Sequence, residues 1–428
     1  ILLARLESTL VLAGDPTTAL DRIPPGQLRA AVSPPGGFSP DVAADLLDAA
    51  VTRGMWEAAA AVARALEPEA DDPAAPWPEA SREALVRALA VPDPAVQFAA
   101  ATTLALGAGP PPYAGSSRVV EILCHAATAT GVDRAVVAHP RADVAGQLAG
   151  DLSRFGYEPV VVATGREAVF AARKSADTVL VLLGGRAVQP TPLETVQFLQ
   201  QQGLGAAPPV LVVVDPLDDD GRGCFLQQLI LSFADLHGVA IVDRLDSFFE
   251  PAAGPPVRPP RFPDALAQAG GPRAVDPASR AAASRARLAR TREALALLAR
   301  LGRRGQDVSA AVAAARSALL ESELHQPAAA LLAAVGRAEA QQALHREAAR
   351  EDLPEPRRRL ALTALEASIA RHGLLLTSRD MLDDYAVYNR ATDADTRRAA
   401  ADLLDVIEAP SRAPRMLSLD APPARPTR

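Results

Sequence analysis

Within residues 133–243, short apolar runs alternate in strict order with amphipathic segments, the pattern of a doubly wound parallel sheet. The runs at 135–138, 159–162, 178–183, 210–214 and 239–242 are rich in Val or Leu. They are too apolar to leave one face wet, so they predict five buried strands. The segments between them carry helix signals. Val144, Leu148, Leu152 and Phe155 form one stripe that stops at Gly156. Thr164 with Glu167 makes a capping box, and Thr191, Pro192 and Glu194 supply an N-cap, a first-turn proline and a capping acid in order.

Helical periodicity fills both flanks. Leu46, Leu47 and Val51 mark the first helix of a pair broken near Gly54, and Trp56 opens the second. Residues 81–90 form a helix with Leu85, Val86 and Leu89 inward. Pro92, Asp93 and Pro94 make a turn, and Val96, Ala99, Ala100 and Leu104 stripe the next helix. Ser116 and Ser117 are placed to cap a helix through Val119, Ile122 and Leu123. Residues 251–276 are crowded with Pro, Gly and Arg, which forbids a long helix or strand. Asp276 and Pro277 then start a helix with Leu288, Leu295 and Leu298 on one stripe. Because Pro251, Pro255 and Pro256 oppose a crossover helix directly after the last strand, this stripe is expected to cover the sheet there. Helix and turn alternate afterwards through 308–320, 327–335, 338–350, 357–371, 378–389 and 395–408. Gly302, Gly336 and Gly373 are read as left-handed helix ends.

The expected organisation is therefore α/β plus all-α. A helical region spans 1–130, a five-stranded α/β region 131–250, a linker 251–276, a second helical region 277–409 and a disordered tail 410–428. A chain of 428 residues with 49% hydrophobic side chains has material for two or three cores. The net charge of −7 and a pI near 5.5 argue against nucleic acid or an anionic membrane as partner, since both call for a basic excess. Lys174 is the sole lysine, and the heavy use of Arg, Ala and Pro reads as codon bias of a GC-rich genome. Cys124 and Cys224 lack metal or disulfide spacing, which fits small buried side chains in a reducing, cytoplasmic setting. No apolar run approaches the roughly 18 residues that span a bilayer. The chain opens at Ile1 rather than Met, which leaves a preceding signal peptide open.

Residues 81–104 resemble a HEAT repeat, on the turn Asp93, Pro94, Ala95, Val96 followed by the paired alanines Ala99 and Ala100. Gln97 stands where that family usually has Arg. The repeat-like stretch extends over about 81–127, and the later hairpins resemble degenerate repeats of the same type. The central region resembles a response-regulator receiver domain, on its five alternating strands and the Gly156, Tyr157 entry to the second. That resemblance implies acids ending the first strand to hold magnesium and an Asp ending the third to accept phosphate. It also implies a Ser or Thr ending the fourth and a Lys ending the fifth, since phosphoryl transfer is mostly positioning and charge neutralisation. Here those strand ends carry Ala138, His139 and Pro140; Leu183, Gly184 and Gly185; Val214 and Asp215; and Asp243 and Arg244. Only Arg244 matches by charge, and its planar group is not an equivalent donor. The region reads as a pseudo-receiver without catalytic residue, metal or cofactor.

In such sheets ligands bind beyond the carboxyl ends of the strands, so the candidate crevice rim is His139, Gly184, Gly185, Asp215, Asp243 and Arg244. No glycine-rich turn follows the first strand, so a dinucleotide fingerprint is absent. Gly184 and Gly185 read as a tight turn rather than a phosphate cradle, and His139 as a loop residue with a satisfied ring. The acids at 218–220 read as a solvated loop, and the histidines at 125, 237, 325, 345 and 372 show no metal spacing. No nucleophile turn is present. The expectation is a non-catalytic interaction or scaffold protein in signalling, which binds another protein through helical-repeat surfaces. The alternatives are a response regulator phosphorylated at an atypical acid such as Asp215, and a sensor that holds a nucleotide or metabolite in the sheet crevice.

Overall fold

A computed structural model describes residues 2–12, 23–33, 37–68, 78–107, 112–187, 189–201, 208–214, 224–233, 236, 238–243, 277–392 and 394–412. The protein is mixed α/β and mostly helical, with one sheet of five parallel strands. The amino-terminal helices are α1 (Leu2–Leu12), α2 (Pro25–Val32), α3 (Pro40–Thr52), α4 (Trp56–Ala65), α5 (Glu79–Ala88), α6 (Pro94–Gly107) and α7 (Ser116–Ala126). Alanine makes their close packing possible. Ala58 to Ala61, Ala63 and Ala65 of α4 are all buried, and α6 comes near enough for Thr103 Oγ1 to donate to the Ala63 carbonyl at 2.9 Å. The turn before α6 is fixed locally. Asp93 Oδ1 accepts from the Ala95 and Val96 N–H groups, both at 2.9 Å, as an N-cap residue followed by a first-turn proline. The buried Gln97 amide donates to the Val91 carbonyl at 2.6 Å and closes the same turn.

The α/β elements follow as β1 (Arg134–Ala138), α8 (Ala142–Arg154), β2 (Glu158–Val162), α9 (Gly165–Lys174), β3 (Thr178–Gly184), α10 (Pro192–Gln201), β4 (Val210–Val214), α11 (Cys224–Phe233) and β5 (Val239–Asp243). The strand order is β2-β1-β3-β4-β5. Alternation assigns the two faces. Ala135, Val137, Leu180 and Leu182 pack with Val144, Leu148 and Leu152 of α8 on one side. Val136, Ala138, Val181 and Leu183 pack with Ala168, Val196, Leu229 and Phe233 of α9, α10 and α11 on the other. The two predicted capping boxes form: Thr164 and Glu167 bond reciprocally at the start of α9, and Thr191 and Glu194 before α10.

The carboxyl-terminal helices are α12 (Pro277–Arg303), α13 (Val312–Ala318, entered through a 3-10 turn at Ser309–Ala311), α14 (His325–Ala334), α15 (Ala338–Ala349), α16 (Glu355–His372), α17 (Ser378–Arg390) and α18 (Ala394–Arg412). They do not form a separate core. Leu295 and Leu298 of α12 join Val119, Ile122 and Leu123 of α7 in one apolar cluster that runs from Leu3 to Ile407. Polar bonds cross the same seam, from Thr291 Oγ1 to the Ala126 carbonyl at 3.0 Å and from Gln306 Nε2 to the Ser116 carbonyl at 3.1 Å. The sheet unit is thus inserted between two helices that pack on each other.

Several expectations need correction. Leu295 and Leu298 serve the helical core rather than the sheet, and Leu288 packs on Gly131 at the amino end of β1. Of the three predicted left-handed glycines only Gly373 has a positive φ, 77°. Gly302 lies inside α12 against Ala334 and Val308, and Gly336 lies against the His372 ring. The helix expected over 357–371 opens earlier, at Glu355, because Pro356 stands in its first turn, where a missing N–H costs nothing. Gly115, not a serine, caps α7. The tail boundary at 410 also moves, because α18 continues to Arg412; residues 413–428 and the linker 251–276 lie outside the described residues. Among the described residues no helix is long and apolar enough to cross a membrane.

Candidate functional site

The strand order reverses direction between β1 and β3, so the switch point of the sheet lies at their carboxyl ends. Ala138 pairs with Leu183 there, which brings the next residues, His139 and Gly184, side by side. His139 is buried at 4% exposure, and its Nδ1 accepts from the Arg141 N–H at 3.1 Å. The imidazole lies over Gly184 so closely that a β-carbon on that glycine would stand 2.5 Å from His139 Cδ2. Gly185 donates its N–H to the Val213 carbonyl at 2.8 Å. A β-carbon on Gly185 would meet Leu229 Cδ1 at 3.2 Å and the Phe225 ring at 3.3 Å. The glycine pair therefore accommodates neighbouring side chains at the switch point. Its amides do not form an open cradle.

The structure brings three of the six rim candidates, His139, Gly184 and Gly185, into one place. Asp243 ends β5 opposite Val214 in the ladder, with its side chain outside the described set. Asp215 and Arg244 lie outside the described residues, as do residues 218–220. The first acid after β1, Asp143, sits in the opening turn of α8, exposed and 3.6 Å from Arg141. Among the described residues no group of three His, Cys, Asp or Glu side chains is placed to hold a metal ion.

A second polar constellation lies at the opposite, amino-terminal ends of β1 and β3, and the sequence reading missed it. Asp177, fully buried, precedes β3 and accepts from Thr130 Oγ1 at 2.9 Å and from the N–H groups of Thr130 and Gly131. Asp133 precedes β1. Two arginines of α12 reach these acids: Arg280 Nε bonds Asp133 at 2.9 Å, and Arg287 bonds Asp133 and stands 3.5 Å from Asp177. Arg280 also donates to the Phe155 carbonyl at 2.9 Å and stacks on the Tyr157 ring at 4.1 Å. The spacing of seven between Arg280 and Arg287 puts both on one helix face. That spacing was visible in the sequence, but nothing local named the acids more than a hundred positions away.

Three of the scattered histidines are structural. His345 Nε2 bonds the buried Asp384 at 2.7 Å and ties α15 to α17. His325 lies 3.4 Å from Glu347, whose carboxylate also takes Arg357 Nε at 2.8 Å. Burial, aided by the Arg357 charge, holds the His325 pKa below the usual histidine value. The His372 ring packs on Gly336. Cys124 is a thiol of the same inert kind: burial first, then the charges of Glu121 and Asp307, push its pKa up to about 12. No family model matches the chain, and neither does any curated protein or solved structure.

Proposed function

We propose that this is a non-catalytic interaction protein, in which a flavodoxin-like, receiver-related sheet unit is carried on a HEAT-type helical scaffold that binds another protein in signalling. The observation that supports this reading most is the packing of the sheet's switch point. His139 fills the space over Gly184, and Phe225 and Leu229 fill that over Gly185, where a receiver would carry its acceptor and metal ligands. The first and third strands contribute no carboxylate at those ends. The helical rows offer the complementary argument. Their core is continuous from Leu3 to Ile407, so outward side chains can vary without loss of the fold.

The test is capture of partners by the tagged full chain in its native cell after treatment with a carboxylate-reactive dihydrazide cross-linker. That reagent suits a chain with 51 acids and Lys174 as its sole lysine. The reading expects a saturable protein partner whose cross-links map to acids on the helices, Asp45, Glu339 and Asp402 among them. Cross-links confined to the sheet unit, or no partner, would count against it.

A further inference from the structure

Helices α12, α14 and α16 pack in a row, and α14, of 10 residues, lies between α12 of 27 and α16 of 18. The carboxyl ends of the three meet. Gly302 lies against Ala334, Gly336 against His372, and Arg371 donates to the Arg303 carbonyl at 2.6 Å. Between α14 and α16 runs a groove of about 780 Å³. Ala329, Ala330 and Ala333 line it from α14, and Leu360, Ala364 and Ala367 from α16, each set on one face of its helix. From Pro356 to Arg371 the wall of the groove runs roughly 22 Å, at 1.5 Å per helical residue.

The charges along the groove are unequal. Arg303, Arg359 and Arg371 line it against one acid, Glu355, in a chain whose net charge is −7. Glu355 is matched by Arg359, one turn along the same helix. Arg303 and Arg371 have no carboxylate partner among the described residues, since the bond of Arg371 goes to a neutral carbonyl. The carboxyl end of the groove is therefore basic, and its floor is apolar. Alanine on that floor lets a second helix come close, because the distance between packed helix axes follows the side chains at the contact. A long apolar groove with uncompensated cations at one end complements an amphipathic helix that carries acids beside its apolar face.

We propose that the groove between α14 and α16 receives an acidic amphipathic helix of a partner protein, about four turns long. Its apolar face lies on Ala330, Ala333 and Ala364, and its acids meet Arg303 and Arg371. The proposal rests on the reading of this protein as an interaction scaffold, and adds where the partner sits and what chemistry it carries.

The test replaces Thr363, exposed in the groove, with the photoreactive residue p-benzoylphenylalanine, and in a second full chain replaces Asp45, exposed on α3 outside it. Each tagged chain is irradiated in its native cell and the attached peptide is sequenced. At Thr363 the attached segment is expected to show apolar residues at helical spacing flanked by Asp or Glu. A synthetic peptide of that segment should bind the full chain saturably and gain helix on binding. Arg303→Glu and Arg371→Glu should each weaken it about tenfold, the loss of roughly one charge-assisted contact. Ala367→Trp, which fills the groove from an exposed position, should abolish binding; circular dichroism and the unfolding midpoint report whether each variant is folded. Absence of capture at Thr363 overturns the groove. The interaction reading survives that result if Asp45 still captures a partner, and falls with the groove if the dihydrazide capture is empty too. Attachment of a second copy of this chain at Thr363, or of a segment without acids or helical spacing, overturns the proposal. Parent affinity in a folded Arg303→Glu, Arg371→Glu or Ala367→Trp protein overturns it equally.

Discussion

The imidazole of His139 occupies the volume that a side chain on Gly184 would need, with Cδ2 only 2.5 Å from the place of a β-carbon. The two residues are neighbours because β1 and β3 pair in parallel at the switch point. Gly184→Ala should therefore destabilise the fold by about 1–3 kcal/mol, the usual range for an overpacked core. The cost should shrink when His139→Ala is combined with it, since the two substitutions share one space. A double-mutant cycle by urea unfolding checks this; additive losses would mean that the contact does not govern the site.

The clamp formed by Arg287 with Asp133 and Asp177 carries a larger expectation. Removal of one member of a buried ion pair leaves an uncompensated charge and typically costs about 3–5 kcal/mol. Asp177 is fully buried, so Arg287→Ala should fall in that range, and the loop at 127–131 should exchange its amide hydrogens faster. Exchange at α14 and α16, remote from the clamp, should change only through global unfolding. Equal protection of the loop in the variant and the parent would show that the arginine does not hold it.

Acid should weaken the protein through its buried histidines. His325 and His125 both have folded pKa values depressed by burial below the ordinary 6.5. The unfolded chain then binds more protons than the native state once the pH drops below that ordinary value. The stability contribution is fully present above about pH 6.5 and is lost as the pH falls toward the folded values. Urea midpoints at pH 7.5 and pH 5.5 measure the loss, and His325→Gln should make the profile shallower over that interval.

With its pKa near 12, Cys124 should not be alkylated in the native protein at neutral pH. In a Cys224→Ser background, iodoacetamide should label Cys124 only at the rate of unfolding, and labelling should be rapid in denaturant. Fast native labelling would place the thiol at the surface.

Features written in local sequence were legible. The five strands announced themselves as short apolar runs, and Thr164 with Glu167 placed the start of α9 because a capping box is complete within four residues. Gly54 and Trp56 divided α3 from α4 for the same reason. What failed was non-local. Gly302 and Gly336 were read as helix ends, but each is small because another element crosses it, Val308 and Ala334 in one case and His372 in the other. Gly184 does open the expected tight turn, its carbonyl accepting from the Ala187 N–H at 2.9 Å, but the space over it is filled by His139, which follows a different strand. The acids Asp133 and Asp177 carry no local signal of their role, because the arginines that reach them stand on α12, more than a hundred residues later. The continuity of the helical core was hidden likewise, because the sheet unit separates α7 from α12 in sequence but not in space.

The central claim of the proposed function, that the sheet unit does not carry out phosphoryl transfer of the receiver type, is tested most directly by intact mass after incubation of the full chain with acetyl phosphate and magnesium. Magnesium needs one or two carboxylates near its octahedral shell, and β3 ends on Gly184 beneath an imidazole. The account predicts an unchanged mass. A stoichiometric gain of one phosphate, mapped by peptide analysis to Asp215 or to any residue between His139 and Arg244, would contradict it.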